Sequence, residues 1–110
     1  MTESERMVKA LHLGLCSHID YERVLNELAD MRLEKVIQYG EDRYAEDDLS
    51  VNMLMCYSDI YRKHIRLKKL SFNFENPDIE SLLDTYRDLA NYAVMAIQIL
   101  ERYERTQADD

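Results

Sequence analysis

One hundred and ten residues make a chain of single-domain size, and with only two Gly and one Pro to punctuate it, a few long helices in one all-α domain are expected. Acidic residues outnumber basic ones by 22 to 14, and the formal net charge of −8 argues against duplex nucleic acid as a partner. No apolar run approaches the ~20 residues of a membrane span, and the opening residues lack the cationic start and apolar stretch of a signal peptide, so a cytoplasmic protein is expected.

Met7, Val8, Leu11 and Leu15 recur at helical spacing and predict a first helix over about 3–16, weakened by Gly14. A second helix follows, with Asp20 as its cap, a core stripe of Tyr21, Val24, Leu25, Leu28, Met31 and Leu33, and Gly40 as its stop. Residues 41–48 read as short, charged and exposed, a loop or a single turn. Asp48 or Ser50 then caps a third helix to about Leu70. That helix has two apolar faces, Leu54, Tyr57, Tyr61 and Ile65 on one and Met53, Cys56, Ile60 and Leu67 on the other, which a single core cannot cover together.

Asn76-Pro77-Asp78 predicts the start of the last helix, with Asn76 capping and Pro77 in the first turn, and the helix should reach about Arg105 before a frayed tail over 106–110. Its core stripe is read as Ile79, Leu82, Leu83, Tyr86, Leu89, Ala90, Ala93, Ile97 and Leu100. From Tyr92 to Leu100 the helix is apolar nearly all round. Such a surface on a monomer would be unusually large, so the expected architecture is a bundle of about four helices that forms a homo-oligomer, dimer or tetramer, through the third and fourth.

Chemistry-bearing residues are sparse. Asp84, Asp88 and Asn91 fall at i, i+4 and i+7 on one strip of the last helix, a spacing that lets two carboxylates share Mg²⁺, although a polar outer face of any soluble helix reads the same way. Asp59, Arg62 and Arg66 lie along one side of the third helix, where Arg suits phosphate but an intrahelical ion-pair ladder is the plainer account. Lys35 and Tyr39 sit four apart at the margin of the second helix's stripe, where a lysine either meets an anion or snorkels to water. The basic stretch over 62–69 is the one local exception to an acidic chain. Cys16 and Cys56 read as buried free thiols, and His12, His18 and His64 have no metal-ligand spacing. P-loop, dinucleotide and Ser/His/Asp signatures are lacking.

Three blocks together carry a resemblance: Lys35-Val36-Ile37-Gln38-Tyr39-Gly40, then residues 59–68 with Asp59, Arg66, Leu67 and Lys68, then residues 80–93 with Asp84, Thr85, Asp88, Leu89, Ala90, Asn91, Tyr92 and Ala93. Over about 25–100 the chain resembles the nucleotide modification associated domain 1 family of phages and bacteria, which is in turn similar to MazG-like all-α nucleotide pyrophosphohydrolases. The resemblance implies nucleotide handling, with Asp84 and Asp88 as catalytic metal ligands for Mg²⁺ and Lys35 and Arg66 on phosphate; Tyr39, Asp59 and Asn91 complete the candidate substrate-binding set. The chain departs from that family at Gln38, where an Asp is common, and in Lys63-His64-Ile65, which lengthen a usually tighter region. Three functions are therefore open: a Mg²⁺-dependent nucleotide pyrophosphohydrolase or accessory to nucleotide modification, a non-catalytic phage protein that sequesters a nucleotide or cyclic-nucleotide signal, and a structural helical adaptor.

Overall fold

The computed structural model describes residues 1–12, 18–40 and 43–109. It is 84% helical, with four helices, α1 (Glu3–His12), α2 (His18–Tyr39), α3 (Leu49–Ser71) and α4 (Ile79–Asp109), and no strand among the described residues. The expected all-α class and helix count are borne out. The chain divides into two compact units, Met1–Lys35 and Val36–Asp110, with the boundary inside α2.

In the first unit, α1 opens on a reciprocal cap. The Glu5 N–H donates to Thr2 Oγ1 at 3.2 Å, while the Thr2 hydroxyl donates to Glu5 Oε1 at 2.9 Å, so side chain and backbone satisfy each other before the helical ladder begins. The expected extension of this helix to residue 16, with Gly14 and Cys16, lies outside the described residues. The second helix already starts at His18, which moves Asp20 from cap to first turn. There its charge opposes the helix dipole's positive end, and it pairs with Arg23 at 4.0 Å. Of the expected stripe on α2, Leu28 is buried and Met31 half-buried, while Tyr21, Val24, Leu25 and Leu33 are exposed.

The second unit begins at the end of α2. Gly40 adopts φ +76°, a conformation that costs a side-chain-bearing residue about 1 kcal/mol or more, and its N–H donates to the Val36 carbonyl at 2.9 Å. The expected stop at this glycine is observed. So is the cap of α3, where Asp48 Oδ1 accepts from the Ser50 N–H at 2.9 Å and from the Ser50 hydroxyl at 2.6 Å.

α3 and α4 pack as an antiparallel hairpin. Lys63 meets Asp88, and further along, the Cys56 thiol reaches the Tyr92 carbonyl at 3.5 Å, so positions descending α3 match positions ascending α4. Tyr44, Cys56, Met95 and Ile99 form the buried centre, with Leu49, Met53, Met55, Ile60, Tyr92 and Ala96 packed around it. Of the two apolar faces read on α3, the one with Met53, Cys56 and Ile60 enters this core, whereas Leu54, Tyr57, Tyr61 and Ile65 are exposed.

The cap of α4 is Asp78, not Asn76: Asp78 Oδ1 accepts from the Ser81 N–H at 3.0 Å, its carbonyl accepts the first helical bond from Leu82, and Pro77 stands ahead of the helix. The carboxylate reaches three residues on, as an N-cap must, and an Asn two places earlier cannot. At the other end the helix continues through the segment read as a frayed tail, to Asp109.

The face that α4 buries differs from the one its apolar periodicity picks out. Ser81, Thr85, Asp88, Tyr92, Met95 and Ile99 recur at helical spacing along the buried or half-buried side, while Ile79, Leu83, Tyr86, Val94, Ile97 and Leu100 are exposed. Polar groups can occupy the inner face because they find partners. The Thr85 hydroxyl donates to the Ser81 carbonyl at 2.7 Å, and Asp88 holds Lys63 at 2.9 Å.

Candidate functional site

The most elaborate polar constellation is centred on Asp59, midway along α3, whose side chain is 2% exposed. Its carboxylate is gripped from the segment before the helix. Arg43 Nε donates to Oδ2 at 2.6 Å and Arg43 Nη2 to Oδ1 at 2.8 Å, a planar two-pronged pairing that matches guanidinium to carboxylate. The Tyr44 hydroxyl donates to Oδ2 at 2.7 Å, and Arg62, one turn on, reaches Oδ1 at 3.2 Å.

Burial works against charge on Asp59, but the hydrogen bonds from Arg43 and Tyr44 and the charges of Arg43 and Arg62 outweigh it and hold the carboxyl below its ordinary value. Burial, reinforced by the bond to Asp59, pushes the Tyr44 phenol far above its usual range and keeps it a donor. Burial likewise raises the Cys56 thiol, which is free, 1% exposed and so poorly suited to act as a nucleophile. The expected burial of Cys56 is observed; Cys16 lies outside the described residues.

A second tie fixes the same segment. Asn52, 2% exposed in the first turns of α3, accepts from the Glu46 N–H at 3.1 Å and donates to the Glu46 carbonyl at 2.7 Å. Thus residues 43–48, expected as an exposed, charged loop or single turn, carry the buried Tyr44 and lie anchored to α3 at two points. Sequence reasoning missed Arg43, Tyr44 and Asn52. One signal was present: an aromatic residue in a charged stretch commonly packs inward, and its buried hydroxyl then needs a partner.

The sequence-derived residues are dispersed. Lys35 belongs to the first unit and Tyr39 to the second, both on exposed positions of α2. Asp59 is enclosed by Arg43, Tyr44 and Arg62, so its role in this geometry is to position those cations. Arg66 is exposed on α3. Its charge helps hold the Asp78 carboxyl below its ordinary value, after the larger contributions of the Ser81 N–H and hydroxyl.

Asp84, Asp88 and Asn91 do not share an outer strip, because the helix turns Asp88 and Asn91 toward its buried side. Asp84 is 67% exposed and meets Arg87 at 3.4 Å, whereas Asp88 is 16% exposed and bound to Lys63, and Asn91 is buried. The two carboxylates thus have separate cationic partners, Arg87 for Asp84 and Lys63 for Asp88. Among the described residues, no group of three His, Cys, Asp or Glu side chains is arranged to hold a metal ion.

The exposed side of α3 has its own pattern. Tyr57 and Tyr61, 68% and 55% exposed, lie near-parallel, with ring centroids 6.4 Å apart and planes 16° apart. His64 and Lys68 continue that line, while Arg62, Arg66 and Lys69 form a separate exposed row about 100° or more further round the helix, with Arg66 about 180° from Tyr57. Aromatic faces in line with a basic side chain can stack a planar ring and hold an anion together.

No helix among the described residues is long and apolar enough to cross a membrane. No protein-family model, curated protein or solved structure matches the chain.

Proposed function

We propose that this protein handles nucleotides by binding them, with the exposed face of α3 as the contact surface. The observation that carries this reading is the near-parallel Tyr57–Tyr61 pair in line with the exposed His64 and Lys68, an aromatic strip that ends in a cation on a chain of net charge −8. A base stacks on a tyrosine ring, each such contact being worth ~1–3 kcal/mol in single-strand binders, and a phosphate accepts from the Lys68 ammonium further along the strip.

The resemblance to the nucleotide modification associated domain 1 family supports the same ligand class, although the Arg66 it implies lies about 140° round the helix from Tyr61, outside this strip. Binding is favoured over Mg²⁺-dependent pyrophosphohydrolysis because Asp84 and Asp88 face different ways and each has a cationic partner. The partner is accordingly a nucleotide or nucleotide-derived small molecule, handled in the cytoplasm by a homo-oligomer.

The test is thermal unfolding against a panel of nucleoside mono-, di- and triphosphates and cyclic nucleotides, each with and without Mg²⁺. A ligand that binds only the native state at about 100 times its Kd stabilises by ~2.7 kcal/mol, which raises the melting temperature by several degrees. We expect a rise without Mg²⁺ that Tyr61→Ala and Lys68→Ala each abolish. A rise that requires Mg²⁺ and is lost in Asp84→Ala or Asp88→Ala would restore the hydrolase reading, and no rise for any nucleotide would leave the helical adaptor.

A further inference from the structure

The exposed apolar side of α4 is ordered along the helix in a way that identifies what covers it. Ile79, Leu83, Tyr86, Ala90, Ala93, Ile97 and Leu100 are separated by four, three, four, three, four and three residues, the alternation that keeps a seam straight along a helix packed against another at a shallow angle. The seam spans 22 residues, ~32 Å at the helical rise. The five large side chains in it are each roughly half exposed, and Val94 beside them is 45% exposed. Covering this strip removes ~600 Å² from each of two helices, ~1,200 Å² for a pair, the lower edge of what specific stable interfaces bury.

Size along the seam is close to palindromic: large, large, large, Ala90, Ala93, large, large. A two-fold axis between Ala90 and Ala93 sets Ala90 against Ala93 of the second copy, Tyr86 against Ile97, and Leu83 against Leu100. Large residues then meet large ones, and the alanines let the two backbones approach most closely at the axis. Antiparallel pairing also aligns opposite ends of the helix dipoles. It brings the acidic start of α4, with Asp78, Glu80 and Asp84, beside a mixed-charge end that includes Arg102 and Arg105, whereas parallel pairing would bring two acidic starts together.

We infer that α4 is a self-association helix, and that two copies of this chain pair antiparallel along it with the axis between Ala90 and Ala93. The pairing specifies the homo-oligomer of the proposed function, while the nucleotide-binding face proposed on α3 contains none of the seam residues and is tested separately by the thermal panel.

Sedimentation equilibrium over a concentration series, combined with disulfide trapping, tests the inference. Wild type should be a dimer, and Ile97→Asp should weaken it at least ~30-fold with far-UV helicity kept, as expected of a buried interface anchor. Under mild oxidation, a mixture of Leu83→Cys and Leu100→Cys proteins should give the mixed dimer, with neither variant alone nor wild type, which retains its two native cysteines, trapping efficiently. The trapping result remains decisive if the acidic variant fails to fold. A monomer throughout, or disulfides formed by each cysteine variant with itself in preference to the mixed pair, would overturn the inference, the first by removing the second copy and the second by requiring a parallel arrangement.

Discussion

Replacing Asp59 with Ala strips one acceptor from four donor groups at once. Arg43 loses a two-pronged bond of 2.6 and 2.8 Å, Tyr44 loses its 2.7 Å bond while remaining 5% exposed, and Arg62 loses a longer one. Removing one partner of a fully buried ion pair costs ~3–5 kcal/mol, but here Arg43 and Arg62 are about half and two-thirds exposed and water can re-solvate them. The dominant loss is therefore the buried Tyr44 donor, ~1–3 kcal/mol, plus a discounted share for Arg43, giving a net destabilisation of ~2–3 kcal/mol. In a domain of this size that lowers the melting temperature by roughly 10–20 °C.

The assay is urea unfolding followed by far-UV circular dichroism, with a double-mutant cycle of Asp59→Ala and Tyr44→Phe. Their coupling should be ~1 kcal/mol or more, since each single change removes the same bond. A loss under ~0.5 kcal/mol for Asp59→Ala, or strict additivity in the cycle, would refute the claim that this carboxylate organises the segment before α3.

The same carboxylate predicts an acid response. Because its folded-state value lies below the unfolded one, the stabilisation is full above the ordinary Asp range and is lost as pH falls through the folded value, so wild type should lose stability below about pH 4 more steeply than Asp59→Asn, as read by melting temperature against pH. Asn52→Ala should cost ~1–2 kcal/mol by urea unfolding, since it frees two groups of the Glu46 backbone from bonds of 3.1 and 2.7 Å; an effect within error of zero would show that the segment before α3 is held without it.

Local signals in the sequence translated well where the chemistry was local. The Asp48 cap, the Gly40 stop and the two apolar faces of α3 each depend on residues within a turn or two of one another, and each is found. The choice of buried face on α4 is not local. Periodicity marks the greasiest stripe as core, yet a helix packs whichever side its neighbour complements, and α3 offers Cys56 and Lys63, which receive Tyr92 and Asp88. Thr85 and Asp88 then become tolerable inside because each has a partner, and the apolar stripe is left outward.

The site was legible only in part for a similar reason. Tyr57, Tyr61, His64 and Lys68 lie on one helix and are related by spacing, whereas Arg43 and Asp59 are sixteen positions apart and meet only when the preceding segment folds back on α3. Asp84 and Asp88 share a helix but not a direction, since a step of four residues overshoots a full turn by about 40°, which is enough to separate a solvent-facing carboxylate from one at the α3 contact.

The most direct test of the central claim is an NMR titration of isotopically labelled protein with the nucleotide that gives the largest thermal shift, recorded without Mg²⁺. The account predicts shift changes concentrated at Tyr57, Tyr61, His64 and Lys68, with Asp84 and Asp88 unmoved. Changes that appear only with Mg²⁺ and centre on Asp84 and Asp88 would contradict it.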